Sequence, residues 1–245
     1  MSTFILKLLA LLFMLIDHIG YFFMGTTNYY QIFRELGRIS FPIFLFLIIV
    51  GIINSNNKEK YLSRLLLFAI ITLIGNIILE YSLKIFNIDD NIFFTLFINA
   101  FIFYLIENWK KYNKVLIIIL IGISIFLIQF VDYEYLSLGT AIGFYIFLKN
   151  PFKFKNYINI ITFIIYETIF MVVSNYFNYL GSEYIIKTQS YMILSIPIIA
   201  SFNGKLGIDK NTKFYTFQKY FFYIFYIAHI YIFYLISYLK YLQGV

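Results

Sequence analysis

Long apolar runs separated by short polar joints set the rhythm of this chain. Nine such runs stand out, at about 4–24, 39–54, 62–83, 91–107, 114–131, 135–149, 156–177, 188–202 and 219–240. They are apolar without alternation, which fits helices and not barrel strands. Several are close to 15 residues, short of the roughly 20 needed to cross a bilayer untilted. The expectation is an all-α, polytopic integral membrane helix bundle of about nine helices, within a range of eight to ten. Asn54, Asn56 and Asn57 make one clean joint, and the stretch 203–219 another. No soluble domain, long linker or internal repeat interrupts the pattern, so residues 1–245 read as a single transmembrane domain.

Composition sharpens this. Hydrophobic residues make up 62% of the chain and charged residues 13%, against about 25% charged in a soluble domain. Cysteine is absent, which excludes disulfides, thiol catalysis and Cys-ligated metal. The two histidines share no metal-binding motif, so no metal is expected. The formal charge of +7 is a topology signal, since the basic residues cluster in short joints and nucleic acid is not an expected partner. Joints after the even-numbered runs carry Lys58, Lys60 and Arg64, then Lys110, Lys111 and Lys114, then Lys149, Lys153 and Lys155, then Lys205, Lys210, Lys213 and Lys219. The odd-numbered joints carry Glu80, Asp89 and Asp90 with Lys84, then Asp132 and Glu134, then Glu183 with Lys187. The lysine-rich joints belong in the cytoplasm, which puts the N-terminus inside and the C-terminus outside. The first run is expected to be retained and not cleaved, because Asp17 and His18 interrupt it and no small-x-small site follows.

Candidate chemistry begins in that first run. Lys7, Asp17 and His18 are ionisable groups at membrane depth, where such groups are costly and mark functional candidates. Eleven steps of a helix separate Lys7 from His18, which places them on one face, roughly 16 Å apart along the axis. His18 lies roughly 21 Å from the helix start, past the middle of the bilayer. A neutral imidazole there can take a proton from an attacking amine or hydroxyl and return it to a leaving group. Asp17 projects about 100° away round the helix, better placed for a cation or another helix's imidazole. Glu167 and His229 fall at similar mid-membrane depth, which makes a shared polar pocket feasible. Hydrogen bonding between helices is the alternative for all three. Arg34 and Arg38, four apart, share a face and suit a carboxylate or phosphate, or a lipid headgroup. Their joint faces outward, so orientation does not explain them. Lys60, Arg64 and Lys205, the last in the turn Asn203–Gly207, are available for an anion or simply for orientation.

Six stretches in order resemble one family: LKLLALLFMLIDHIG, FRELGRISFPIF, YLSRLLLFAII, NIFFTLFINAFIFYLIE, LSIPIIASFNGKLG and KYFFYIFYIAHIYIFYLI. Together they resemble, nearly end to end, the TraX family of bacterial integral membrane proteins, whose named member is linked to N-acetylation of conjugative pilin. One departure is Tyr226-Ile227-Ala228-His229, where the family often has Tyr-Pro-x-His. That puts a local kink in question more than the histidine. TraX proteins are in turn similar to the transmembrane acyltransferases, which carry a basic residue, ten positions and a catalytic histidine in the first helix. Lys7 and His18 match that spacing.

The resemblance implies a multi-pass protein of the bacterial inner membrane that takes acetyl-CoA as acyl donor from the cytoplasm, without metal. The acceptor it implies is an amine or hydroxyl of an exported protein or glycan, such as a pilin N-terminus. His18 would be catalytic with Asp17, Lys7 and His229 around it. Lys60, Arg64 and Lys205 would meet the CoA phosphates, and Arg34, Arg38 and Glu167 the acceptor. Two other readings stay open from the residues alone: a non-enzymatic assembly factor for an exported fibre or polysaccharide, and a proton-coupled transporter using His18, Glu167 and His229.

Overall fold

A computed structural model describes residues 1–25, 27–83, 88, 91–149, 157–178, 182–209 and 212–242. The charges expected at Lys84, Asp89, Asp90, Lys153, Lys155 and Lys210, and the side chain of Lys219, lie outside the described residues. Among those described, the ordered backbone is helical and no strand forms. In chain order the α-helices are α1 (Thr3–Phe23), α2 (Tyr30–Gly37), α3 (Ser40–Asn54), α4 (Lys58–Leu83), α5 (Ile92–Glu107), α6 (Lys114–Leu127), α7 (Glu134–Lys149), α8 (Tyr157–Asn178), α9 (Glu183–Ser190), α10 (Ser195–Ala200) and α11 (Lys213–Leu242). Among the described residues, four helical stretches are long and apolar enough to cross a membrane: Thr3–Phe23, Tyr30–Asn54, Lys58–Leu83 and Lys213–Leu242. Two shorter apolar ones cover Ile92–Glu107 and Lys114–Phe130.

Two differences from the sequence pattern have local causes. The joint before residue 39 holds a helix, α2, whose Arg34, Glu35 and Gln31 masked it in an apolarity scan; Gln31 Nε2 bonds Glu35 Oε1 at 2.7 Å, one turn apart. The run expected at 188–202 is broken. A 3-10 turn at Tyr191–Leu194 separates α9 from α10. Pro197 has no N–H to give and fits only the first turn of a new helix, which is where it stands.

The chain divides into two compact units, Met1–Phe44 with Gly181–Val245, and Leu45–Leu180. In the second, α4 packs on α5, α5 on α6 and α7, and α7 on α8. Its surface is apolar: Ile70, Ile74 and Ile78 on α4 and Ile118, Phe126 and Val115 on α6 are exposed. Its interior holds polar groups, with Thr95, Asn99, Ser137, Thr140 and Glu167 fully buried. An outside of Leu and Ile around an inside with Asn and Thr is the arrangement of a lipid-facing bundle. Asn99 Nδ2 bonds Ser137 Oγ at 2.9 Å and the Thr95 carbonyl at 2.9 Å, tying α5 to α7. The chain is a membrane protein.

Apart from the buried Glu167, the charges of the described residues in this unit sort to opposite ends. At one end Glu107 accepts from Tyr145 Oη at 2.6 Å and pairs with Lys149 at 2.7 Å and Lys58 at 3.3 Å. Tyr104 Oη bonds Glu59 at 2.9 Å nearby on the same helices. At the other end Asp132 Oδ2 accepts from Asn91 N at 3.2 Å, and Thr95 Oγ1 donates to the Asp132 carbonyl at 2.9 Å. The lysine-rich joints of this unit thus gather at one end and the acidic joint sits at the other.

Gly139 and Gly143 let α8 approach α7. A β-carbon on Gly139 would stand 2.8 Å from Ser174 Cβ, and one on Gly143 would stand 2.9 Å from Glu167 Cδ. This is a small-xxx-small contact of the kind that brings membrane helices together. Gly122, on α6, has nothing within 4 Å of such an atom. Gly139→Val is therefore expected to destabilise the detergent-solubilised protein by about 1–3 kcal/mol through overpacking. Gly122→Ala should be neutral or stabilising by about 0.5–1 kcal/mol. Thermal unfolding of both variants beside the unchanged protein checks this.

Candidate functional site

The site is built on α1, in the first unit. The helix begins cleanly because its first N–H groups are all met. Ser2 Oγ accepts from Ile5 N at 3.4 Å. Thr3 N and Phe4 N donate to the carbonyls of Lys205 and Leu206 at 2.9 and 3.1 Å. The turn around Lys205 needs positive φ at Gly204 and Gly207, 75° and 84°, and its carbonyls serve as the cap of α1. Free N–H groups at a helix start otherwise need water. The Lys205 side chain is exposed.

Farther along α1, neighbouring residues point to different helices. Asp17 faces α2. Arg38 Nη2 meets both of its carboxylate oxygens at 2.7 Å, and Arg34 Nη1 reaches Oδ2 at 2.9 Å. Arg34 Nη1 also lies 3.5 Å from the Asp17 carbonyl, and Arg38 Nε donates to the Arg34 carbonyl at 3.2 Å. All three side chains are at least four-fifths buried. Gly37 lets α2 come this close, since a β-carbon there would stand 2.5 Å from Asp17 Cγ. Ser40 Oγ adds a bond to the Ala10 carbonyl at 2.7 Å. The charge of Arg34 and Arg38, unexplained by orientation, is thus partly answered by Asp17.

His18 faces α11. Its Nδ1 is 2.7 Å from His229 Nε2, and the other nitrogen of His229, Nδ1, is 2.8 Å from the Phe225 carbonyl one turn back. His229 is 5% exposed and flanked by the rings of Phe225 and Phe233. His18 is half-buried. The bond to His229 occupies its Nδ1 and leaves Nε2 as the nitrogen that another molecule can meet. Lys7, on the same face of α1, has its Nζ 5.2 Å from the Phe222 ring centre. The pairs Phe4–Phe214, Lys7–Phe222, His18–His229 and Phe22–Phe233 ascend together along both helices, so α1 and α11 run parallel.

The first unit therefore brings together Asp17, His18, Arg34, Arg38 and His229, with Lys7 lower on the same helix. Lys205 is in the same unit, at the start of α1, and the other candidates, Glu167, Lys60 and Arg64, belong to the second unit. Glu167 is fully buried on α8 against Gly143 of α7. Arg64 is half-buried with its guanidinium 5.6 Å from the Tyr61 ring centre, and Lys60 is exposed. Among the described residues, no group of three or more His, Cys, Asp or Glu is placed to hold a metal ion. Two contributors were not singled out from the sequence. The Phe225 carbonyl is backbone, signalled only by its spacing of four from His229. Tyr21, whose ring centre lies 5.2 Å from the Arg34 guanidinium, looked like one aromatic among many.

The TraX protein family model matches residues 2–237. The chain belongs to the TraX family. Among curated proteins, this TraX-family chain is 37% identical over 71 residues to a probable fimbrial assembly protein, FimC of serogroup H1, from Dichelobacter nodosus. The match covers 29% of this chain and 29% of that protein, so the chain spans less than a third of the length of that relative in the alignment. No solved structure matches. Two of the six stretches that carried the TraX resemblance, those containing IDHIG and FRELGRISFP, are brought together where α1 meets α2.

Removing Asp17 alone leaves two buried guanidinium groups facing each other. Asp17→Ala is expected to cost about 3–5 kcal/mol of stability, as breaking one partner of a buried ion pair does. Adding Arg38→Ala should cost much less than the sum of the two single changes, because the pair is coupled. A thermal-unfolding double-mutant cycle in detergent checks both statements.

Proposed function

We propose that this chain is a membrane acetyltransferase that moves an acetyl group from cytoplasmic acetyl-CoA to an amine or hydroxyl of an exported acceptor. The observation that carries the reading is the His18–His229 pair, its His18 half-buried on a helix that an ion triple holds in place. In the proposed step the acceptor nitrogen or oxygen attacks the thioester carbonyl while His18 Nε2 takes its proton. The new N–C or O–C bond forms and the C–S bond breaks. The departing CoA thiolate then receives the proton from His18. A two-step route through an acetyl-histidine uses the same nitrogen. Family membership supports the reading, because the resemblance of the sequence to TraX implies pilin acetylation. The relative named as a fimbrial assembly protein supports an acceptor that is part of an exported fibre; a surface glycan is the other candidate.

The setting we propose is the bacterial inner membrane, crossed about nine times, with the N-terminus in the cytoplasm. Parallel α1 and α11 support an odd number of crossings, since first and last spans run the same way only then. The gathering of Lys58, Lys111 and Lys149 at one end of the second unit supports placing that end inside. Exposed Lys205 on the first unit is a cation proposed for the donor's phosphates; within the second unit, Lys60 and Arg64 are the separate candidates for that role. The second reading, an assembly factor without chemistry, is favoured by the FimC relative, a probable fimbrial assembly protein.

Purified protein in detergent should bind acetyl-CoA, and hydrolyse or transfer its acetyl group. His18→Ala should keep the binding and lose turnover by about 10²–10⁴-fold. Wild-type turnover in that variant would remove His18 from the chemistry, and no acetyl-CoA binding by folded wild-type protein would favour the assembly factor.

The orientation has its own check, made clean by the absence of native cysteine. Tyr29→Cys, at a position 63% exposed before α2, should react with a membrane-impermeant maleimide on intact spheroplasts. Lys111→Cys, on the joint between α5 and α6, should react only after the membrane is opened. The reverse pattern would invert the topology.

A further inference from the structure

A neutral imidazole carries one proton and one lone pair, and the two nitrogens exchange roles between tautomers. Which nitrogen of His18 is the base therefore depends on what its neighbours accept. The chain of contacts here begins at a group with only one possible role. The Phe225 carbonyl can only accept, so His229 Nδ1, 2.8 Å away, carries the hydrogen. A neutral His229 then has its lone pair on Nε2. That nitrogen is 2.7 Å from His18 Nδ1, so Nδ1 of His18 must donate. The remaining nitrogen of His18, Nε2, is left with the lone pair.

We propose that His229 is a positioning residue that holds His18 in its Nδ1–H tautomer and so makes Nε2 the basic nitrogen. Free histidine prefers its hydrogen on Nε2, which would leave an acid where transfer needs a base. The device is directional because it ends on a backbone carbonyl of α11, fixed by the helix itself. It also gives the captured proton somewhere to go. When His18 Nε2 takes a proton, the Nδ1 proton can move to His229 Nε2, so the positive charge is shared between two rings. His18 is then neutral with its hydrogen on Nε2, ready for a leaving group. Donation from Nε2 and return of the proton from His229 to His18 Nδ1 restore the starting state, with every proton accounted for. The catalytic use of this pair rests on the acetyl-transfer reading; the tautomer itself does not.

The test is nitrogen NMR on protein labelled with [15N]histidine. The chain has two histidines, so only four ring nitrogens contribute. At alkaline pH, where a free imidazole is neutral, both rings should show a protonated Nδ1 and a bare Nε2. A protonated Nε2 on His18 would overturn the proposal, and this arm needs no variant to fold. His229→Phe, which cannot accept, should return His18 to the Nε2–H form and lower acetyl transfer by about 10²-fold or more. His229→Gln, whose amide oxygen can accept from His18 Nδ1, should keep the tautomer and recover transfer to within about tenfold of wild type. Equal losses in both variants with the His18 tautomer unchanged would overturn the positioning role. Absence of transfer in wild type, with the tautomer as expected, would instead sink the acetyltransferase reading and leave the tautomer standing.

Discussion

A bilayer offers no hydrogen bonds, so a polar side chain on a membrane helix has to be answered by another part of the protein. The ion triple on α1 is where that constraint is met most expensively. Two guanidinium groups and a carboxylate are taken out of water together, and each would be costly alone. Their contacts at 2.7 to 2.9 Å fix both the rotation of α1 and its distance from α2. Gly37 and Ser40 are the steric and hydrogen-bonding conditions for that approach. The second unit follows the same rule with neutral groups, through Asn99, Ser137 and Thr95, and sets its ion pairs at one end, while Glu167 is buried within it.

Much of the helical layout was legible in the sequence because apolar length is a one-dimensional signal. The starts of α3, α5 and α6 fall within a residue or so of the apolar runs. The signal failed where polarity and helicity diverge. Residues 30–37 contain Gln31, Arg34 and Glu35, so the scan gave a joint where a helix stands. Residues 191–200 are mostly apolar, yet Pro197 and the 3-10 turn at Tyr191–Leu194 interrupt them. Apolarity alone does not register a missing N–H.

The candidate site was legible residue by residue and not as an arrangement. Helix geometry separated Asp17 from His18 by about 100° and suggested that the acid would suit a cation. It did not say that Arg34 and Arg38, seventeen and twenty-one positions later, would supply two. Depth put His229 at a level similar to that of His18, but depth is shared by many residues. The register between α1 and α11 decides which of them meet, and it is set by ring contacts such as Phe22 with Phe233 and Tyr234 that no periodicity encodes. Glu167 shared the same depth, and its surroundings are set by a different helix pair.

The adjacency of Asp17 and His18 has a mechanical meaning once both partners are known. Two consecutive residues on a helix cannot turn independently, so fixing one side chain's direction fixes the other's. The ion triple resists rotation of α1 through charge and forked geometry, and the His18–His229 bond is then formed by rings delivered to each other within hydrogen-bond distance. A base used for proton transfer gains most when its geometry is set before the reactants arrive. In the proposed acetyl transfer that setting would be done by a pair of residues, an acid that faces α2 and an imidazole that faces α11. The cost of burying charge at Asp17 therefore reads as the source of the precision at His18. It also explains why an acid that does not touch the imidazole stands beside it in the chain.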